Sequence, residues 1–160
     1  MRRCVIQCGA LLVAVITACD PWFGTQYRQA LAPTPRLDCI ATALRTSAVV
    51  DRVSPLRRGD YGTGKDEGFW IALRDTAGLG IPRATVTLAS APEVAGHVTV
   101  TYVYMGYDQI SLAQRQYWAA LAHQLLGTMR TACAPNSPQA VECHGTGAIG
   151  GQRGACRGAA

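Results

Sequence analysis

The segment ATVTLASAPEVAGHVTVTYVYMG (84–106) decides the predicted fold, because apolar and hydroxyl side chains alternate in two parts of it. Alternation with a period of two is typical of a β-strand with one buried and one exposed face. The two runs, 84–91 and 97–106, are joined by the short turn PEVAG, so we predict that they pair as antiparallel neighbours. A third run, FWIALRD (69–75), precedes them and completes a predicted three-stranded sheet.

Two helices are predicted to flank these strands. Thr34 followed by Pro35 favours a helix start, because threonine caps helices and proline suits the first helical position. Apolar residues then recur at helical spacing, and this helix must end before Pro55. A second helix is predicted to begin at Ser111, where SLAQ is a capping-box pattern, and to end before Pro135.

The order of helix, three strands and helix (α-β-β-β-α) predicts an α+β domain. Both helices are expected to cover one face of a three-stranded antiparallel sheet, which buries both apolar stripes. We assign this domain to residues 36–134. The proline-containing segment 19–35 is predicted to be a lipidated tether, and residues 135–160 a glycine-rich flexible tail. With 49% hydrophobic and 16% charged residues, the composition excludes a disordered chain.

The first 18 residues are predicted to be an export signal peptide. Two arginines precede an apolar segment, residues 4–18, which is shorter than the roughly 18 residues of a membrane-spanning helix. Cleavage after Ala18 would give an ordinary secreted protein, but the large Ile16 suits that cleavage poorly. The signal peptide therefore predicts export, and the residues at its end indicate whether the protein is secreted or anchored to a membrane.

The segment ends in ITAC (16–19), which resembles the lipobox of bacterial lipoproteins. The resemblance implies that the signal is removed before Cys19, whose thiol then carries a diacylglyceryl group and whose amine is acylated, with palmitate as a typical acyl chain. It also implies a membrane-anchored cell-envelope protein that faces the periplasm. Asp20 resembles the inner-membrane retention residue of enterobacterial lipoproteins, although the choice between inner and outer membrane stays open.

The four cysteines after the lipobox are predicted to form two disulfides: Cys39, Cys133, Cys143 and Cys156. An exported chain meets an oxidising compartment, and four cysteines allow three connectivities. Cys39 lies in the first turn of the first helix and Cys133 in the last turn of the second, so they can meet if the helices are antiparallel. We predict Cys39–Cys133, with Cys143–Cys156 in the tail, whereas parallel helices would favour a bond between Cys133 and Cys143.

No catalytic residue, metal site or cofactor is predicted. Residues 59–66 (GDYGTGKD) approach a phosphate-binding loop, but Asp66 stands where that loop needs a hydroxyl residue for Mg²⁺. Cys143 and His144 with Cys156 would leave a metal ion short of a ligand. The three histidines lack metal-ligand spacing: His97, His123 and His144. Removal of the signal peptide with Arg2 and Arg3 would leave 13 basic and 10 acidic residues, a net charge of +3, so no nucleic-acid partner is expected.

Residues 75–88 (DTAGLGIPRATVTL) resemble the D-x-x-G-x-x-[VI]-P-x-A-x-V-x-L hairpin of bacterial immunoglobulin-like and carboxypeptidase-regulatory-like domains. The matching residues are Asp75, Gly78, Ile81, Pro82, Ala84, Val86 and Leu88. The resemblance implies an adhesion-type β-sandwich. The predicted second helix, however, stands where those domains continue with further strands.

The predicted function is that of a lipid-anchored cell-envelope lipoprotein, a binding or assembly subunit with an envelope protein partner. This prediction depends on the lipobox and on the lack of a catalytic motif, which disfavours an enzyme. Two alternatives stay open: a small envelope hydrolase and an immunoglobulin-like adhesion module.

Overall fold

A computed structural model describes residues 22–58, 67–89, 96–105 and 110–147. The described residues contain seven strands and two helices: β1 (Trp22–Ala30), α1 (Leu37–Thr46), β2 (Val50–Val53), β3 (Arg57–Arg58), β4 (Glu67–Leu73), β5 (Arg83–Leu88), β6 (His97–Met105), α2 (Leu112–Cys133) and β7 (Glu142–Gly147). The strands form one antiparallel sheet in the order β2-β4-β5-β6-β1-β7, and β3 also pairs with β4.

The predicted three-stranded sheet and the α-β-β-β-α order are wrong. The three predicted strands are present as β4, β5 and β6, but the sheet continues on both sides of them. Strand β1 comes from the segment 19–35, which was predicted to be a tether, and β7 comes from the predicted tail 135–160. Residues 22–30 and 142–147 are therefore part of the sheet.

Strand β1 was not predicted from the sequence, because much of its buried face is polar and apolar alternation is therefore weak. Thr25, Tyr27 and Gln29 alternate on that face, and all three are buried. The Gln29 side-chain amide donates a hydrogen bond to the Pro138 carbonyl oxygen at 2.9 Å. The backbone of β1 pairs with β6 on one side and β7 on the other, with Tyr27 opposite Val100 in β6. Pairing with two neighbours compensates for the modest apolar content of this strand.

Both helices pack on one face of the sheet and share one core with it. The largest fully buried core side chains are Tyr27, Tyr102, Ile40, Leu44, Leu125, Leu126, Met129, Val86, Val98 and Val100. Full burial of a side chain such as Leu125 contributes about 1.5–3 kcal/mol to the transfer term. Helices on the same face were predicted, although the sheet beneath them is wider than expected.

The helix boundaries differ most at α1. It begins at Leu37 with Arg36 as the N-cap, so the predicted cap at Thr34 is wrong, and it ends at Thr46, where β2 soon follows. In α2 the predicted capping box is confirmed. The Gln114 backbone N–H donates to Ser111 Oγ at 3.1 Å, and the Ser111 N–H donates to the Gln114 side chain at 3.0 Å.

The predicted Cys39–Cys133 disulfide is present and joins residues 94 positions apart. It connects the first turn of α1 to the last turn of α2, so the two helices are antiparallel, as the prediction required. Cys143, in β7, is also disulfide-bonded. Cys156 lies outside the described residues, so the Cys143–Cys156 pairing stays a prediction.

Candidate functional site

The candidate site lies on the sheet face opposite the helices, which we call the open face. The described side chains that strand register places there include Gln26, Arg28, Arg52, Trp70, Ala72, Arg83, Thr85, Thr87, Thr99, Thr101, Val103, Glu142 and His144. Their neighbours in sequence point to the core, since successive side chains of a strand alternate between faces. Within the described ranges no helix packs on this face, but Thr85, Thr87 and Thr99 are buried there, so binding would have to use exposed side chains such as those of Arg52 and Arg83.

The centre of the open face is a block of four threonines. Thr85 lies opposite Thr101, and Thr87 lies opposite Thr99, on the adjacent strands β5 and β6. Threonine suits this position because its branched Cβ packs well on a pleated surface. Thr85, Thr87 and Thr99 are buried and Thr101 is partly exposed, so the block is an uncharged, closely packed part of this face.

Beside this block, Arg52, Trp70 and Arg83 form a shallow groove of about 190 Å³, which we call the arginine–tryptophan groove. The guanidinium carbon of Arg83 lies 4.2 Å from the centre of the Trp70 ring. This cation–π contact holds the arginine against the indole while leaving it exposed. Arg52 pairs with Ala72, the residue two positions after Trp70 on β4, and forms the other wall.

The backbone beneath the groove is fixed by Ser54. Its hydroxyl oxygen accepts a hydrogen bond from the Trp70 backbone N–H at 2.9 Å and donates to the Pro55 carbonyl oxygen at 3.0 Å. A second bond runs from the Ser54 N–H to the Trp70 carbonyl oxygen at 2.8 Å. Ser54 is therefore a positioning residue for Trp70, because its hydroxyl is already engaged with the main chain.

The groove carries uncompensated positive charge within the described part of the chain. Arg52 and Arg83 are exposed, as is Arg57 nearby on β3, and none of the three forms a salt bridge with a described acidic residue. The described ion pairs involve other arginines: Arg36 with Asp38, and Arg74 with Asp51. Two unpaired guanidinium groups beside an indole ring favour an acidic partner.

The histidines do not assemble into a catalytic or metal site. His97 lies on β6, and His123 lies on α2 with its ring centre 6.2 Å from that of Tyr27. His144 lies on β7, where its Nε2 is 3.2 Å from a Glu142 carboxylate oxygen. Among the described residues, no three histidine, cysteine or acidic side chains are grouped closely enough to hold a metal ion. The phosphate-loop-like segment 59–66 lies outside the described residues.

The hairpin around Asp75 has a structural role in this fold. Its carboxylate accepts hydrogen bonds from the backbone N–H groups of Leu79 and Gly80 at 3.3 and 2.7 Å. Desolvation raises the pKa of Asp75, but these backbone N–H groups outweigh it and hold the pKa below its ordinary value. Trp118 Nε1 donates to the Gly80 carbonyl oxygen at 2.8 Å and docks the loop on α2.

The resemblance to immunoglobulin-like domains does not extend beyond this hairpin. Gly78, the glycine of the motif, has a positive φ angle of 65°, so this position reflects backbone geometry. The described strands form one sheet with helices on one face, whereas those domains consist of two packed sheets. The β-sandwich implied by the resemblance is therefore absent from the described residues.

Sequence reasoning had singled out neither Arg52, Trp70 nor Arg83. Trp70 was placed in a predicted strand, but Arg52 lay in the predicted first helix and Arg83 in a predicted connection. A weak pattern exists at two of them, since Trp70 lies between the buried Phe69 and Ile71 and Arg83 precedes the buried Ala84. Only the register brings the three side chains together. The residue that was predicted to be lipidated, Cys19, lies outside the described residues.

No helix among the described residues has the length and apolar character needed to cross a membrane. Comparisons of the chain with protein-family models, curated proteins and solved structures gave no match. The fold and the open face therefore have to be interpreted from their own geometry and charge.

Proposed function

We propose that this protein is a lipid-anchored lipoprotein of the bacterial cell envelope that faces the periplasm and acts as a binding or assembly subunit. In this proposal its partner is a protein with an acidic surface that docks on the open face. The observation that carries the proposal is the arginine–tryptophan groove, where Arg52 and Arg83 are exposed without a described acidic partner.

The chemistry of the groove supports binding more than catalysis. Arginine and tryptophan are enriched where interfaces gain most of their affinity, because both bury a large area and arginine adds directed hydrogen bonds. A hydrolase receives no comparable support, since Ser54 is engaged with the backbone and the histidines lie on separate elements.

The anchor is supported by the ITAC segment behind the export signal. Two or more acyl chains give lasting attachment to a bilayer, whereas one chain gives only reversible binding. The Cys39–Cys133 disulfide is compatible with an exported protein, because such bonds persist in oxidising compartments.

The binding proposal is tested with a charge reversal on the full chain in its native host. The double variant Arg52→Glu/Arg83→Glu reverses both groove charges, and Arg36→Glu/Arg45→Glu reverses two exposed charges outside the open face. After mild crosslinking and purification, we expect a protein partner with the wild type and the control, and its loss with the groove variant. Equal recovery from both variants, or no partner from the wild type, would contradict the proposal.

The anchor is tested separately by labelling with radioactive palmitate. Wild-type chain is expected to incorporate the label, and Cys19→Ala is expected to lose it and to accumulate as an unprocessed or soluble form. Label that persists in the Cys19→Ala chain would rule out the lipobox interpretation.

A further inference from the structure

We infer that one end of the domain rests on the bilayer surface, through an apolar rim formed by Leu79, Ile110 and Leu112. We call these three residues the anchor-side rim. The inference rests on the proposed lipid anchor at Cys19, and it adds which part of the protein meets the membrane.

The first argument is the length of chain between the anchor and the fold. Strand β1 begins at Trp22, three residues after Cys19. At about 3.3–3.6 Å per extended residue, three residues span at most about 11 Å. The predicted tether of residues 19–35 would have allowed the domain to stand well away from the bilayer. With β1 inside the sheet, the end of the domain that contains Trp22 has to stay near the lipid headgroups.

The second argument is that the rim lies at this same end. Trp22 is paired with Met105, the last residue of β6, and the chain then continues into α2. The loop between β4 and β5 also lies there, because Arg83 at the start of β5 pairs with Val103 near the end of β6. Leu79 belongs to that loop, and Ile110 and Leu112 lie at the start of α2.

Two hydrogen bonds join the loop and the helix start into one rigid surface. The Gln114 side-chain amide donates to the Leu79 carbonyl oxygen at 2.9 Å, and Trp118 Nε1 donates to the Gly80 carbonyl oxygen at 2.8 Å. Leu79 and Leu112 are therefore held on the same end of the domain. A rigid apolar rim loses little conformational entropy when it enters an interface.

The third argument is exposure. Leu112 is 52% exposed and Leu79 is partly exposed, whereas Ile110 packs against the core with part of its side chain and exposes the rest. Apolar side chains at an end held beside a bilayer are stabilised by entering the headgroup and acyl boundary. The other large apolar residue that is exposed among the described residues is Leu56, at 42%. It precedes β3, which pairs with the start of β4 at the opposite end of the sheet.

This orientation also positions the groove. The strands would be roughly perpendicular to the bilayer plane, so the open face would be directed parallel to the membrane surface. Arg83 is the first residue of β5, and Arg52 pairs with Ala72 near the end of β4, so both lie toward the anchor-side rim. An acidic partner would therefore meet the groove close to the bilayer.

Fluorescence quenching by brominated lipids tests the inference on the full processed chain. Leu112→Trp and Leu56→Trp each add one tryptophan at an exposed apolar position, at opposite ends of the sheet. The acylated proteins are reconstituted in phosphatidylethanolamine–phosphatidylglycerol vesicles with brominated acyl chains, and the wild-type emission is subtracted. We expect the added emission to be lost in Leu112→Trp and retained in Leu56→Trp. Unchanged melting temperatures verify that both variants are folded.

Mass spectrometry of the Cys19 peptide from the same samples separates the two possible failures. If Cys19 is acylated but both added tryptophans are quenched alike, or neither is quenched, the inference is overturned and the anchor stands. If Cys19 carries no acyl group, the anchor and the inference fall together. Selective quenching of Leu112→Trp with acylated Cys19 supports both.

Discussion

At the scale of single residues, Tyr102 is the most informative core position. It is fully buried, and its hydroxyl has no hydrogen-bond partner among the described residues. Its ring lies 6.0 Å from that of Tyr27 and 6.1 Å from that of Trp118, measured between ring centres. Burial, followed by the nearby Tyr27 and Tyr117, raises the pKa of Tyr102 well above its ordinary value of 10.0. Burial of this hydroxyl therefore lowers the free energy of unfolding, and the packing of the surrounding side chains has to offset that loss.

Removing this hydroxyl should not destabilise the domain. We expect Tyr102→Phe to leave the free energy of unfolding unchanged or to raise it by about 1 kcal/mol, because a buried unpaired polar group is removed. Tyr117→Phe is the matched control, since its hydroxyl accepts a bond from the Thr76 N–H at 3.0 Å. That change should lower the free energy by about 1 kcal/mol. Urea unfolding at pH 7 measures both, and a large loss in Tyr102→Phe would mean that the hydroxyl has a partner.

The raised pKa of Tyr102 also predicts a pH dependence. The folded state keeps the Tyr102 proton at pH values where the unfolded chain releases it, so the contribution of this group is constant below about pH 10 and stability falls above it. In the unfolded chain, the pKa of a tyrosine is about 10. Between about pH 9 and pH 11, the free energy of unfolding should therefore fall less in Tyr102→Phe than in the wild type. Parallel loss in the two proteins would contradict the assignment.

Glycine positions give a second test at this scale. Gly96 has a φ of 84°, and an added Cβ would lie 2.6 Å from the Leu31 carbonyl oxygen. Gly127 lies within α2, where an added Cβ meets nothing within 4 Å. Gly96→Ala should therefore lower the melting temperature, whereas Gly127→Ala should raise stability by about 0.5–1 kcal/mol through the better helix propensity of alanine. Thermal unfolding of both variants checks this, and equal effects would contradict it.

At the scale of elements, β1 is the strand on which the sheet depends most. Gln26 lies opposite Thr101 in β6 and opposite His144 in β7, so β1 has a paired neighbour on both sides. A proline within such a strand removes a ladder hydrogen bond and distorts both pairings. A tether would tolerate the same change, so β1 separates the observed fold from the predicted one.

We expect Gln26→Pro to prevent stable folding. Circular dichroism should show loss of cooperative thermal unfolding. Arg57→Pro is the matched control, because β3 has two residues and pairs only with β4 among the described strands. It should shift the melting temperature by a few degrees at most, in line with a loss near 1 kcal/mol. A cooperative transition of normal amplitude in Gln26→Pro would indicate that β1 is dispensable.

At the scale of the whole molecule, the two ends of the described chain contact each other within the sheet. Strand β1 near the start lies between β6 and β7 near the end, and the disulfide joins α1 to α2 across 94 positions. Contacts between distant parts of a chain carry a large loop-closure entropy. A covalent bond between such parts stabilises the fold by limiting the unfolded ensemble.

Loss of this disulfide should lower the free energy of unfolding strongly. In the chain-entropy model a loop of this length contributes about 4–5 kcal/mol, which is a large share of the stability of a small domain. The double variant Cys39→Ser/Cys133→Ser avoids a free thiol and should show a much lower denaturant midpoint. Because Cys143 is also disulfide-bonded, reduction of the wild type should lower the midpoint at least as far. An unchanged midpoint in the double variant would contradict the entropic argument.

The amino-acid sequence by itself determined the features that depend on neighbours along the chain. Alternation predicted strands at the positions of β5 and β6, a short apolar run predicted the strand at β4, and the SLAQ pattern predicted the start of α2 at its capping box. The Cys39–Cys133 bond was also predicted, because both cysteines lie at ends of predicted helices. These features follow from local periodicity and local hydrogen bonding, which a single sequence contains.

Only the tertiary structure decided that β1, β2 and β7 complete the sheet and that Arg52, Trp70 and Arg83 form one groove. Strand β1 buries polar Thr25 and Gln29, so its burial becomes visible only when β6 and β7 flank it. The groove residues come from three strands, and only cross-strand register places them side by side. The physical reason is that strand pairing joins residues far apart in the chain, whereas a sequence pattern records the preferences of each segment alone.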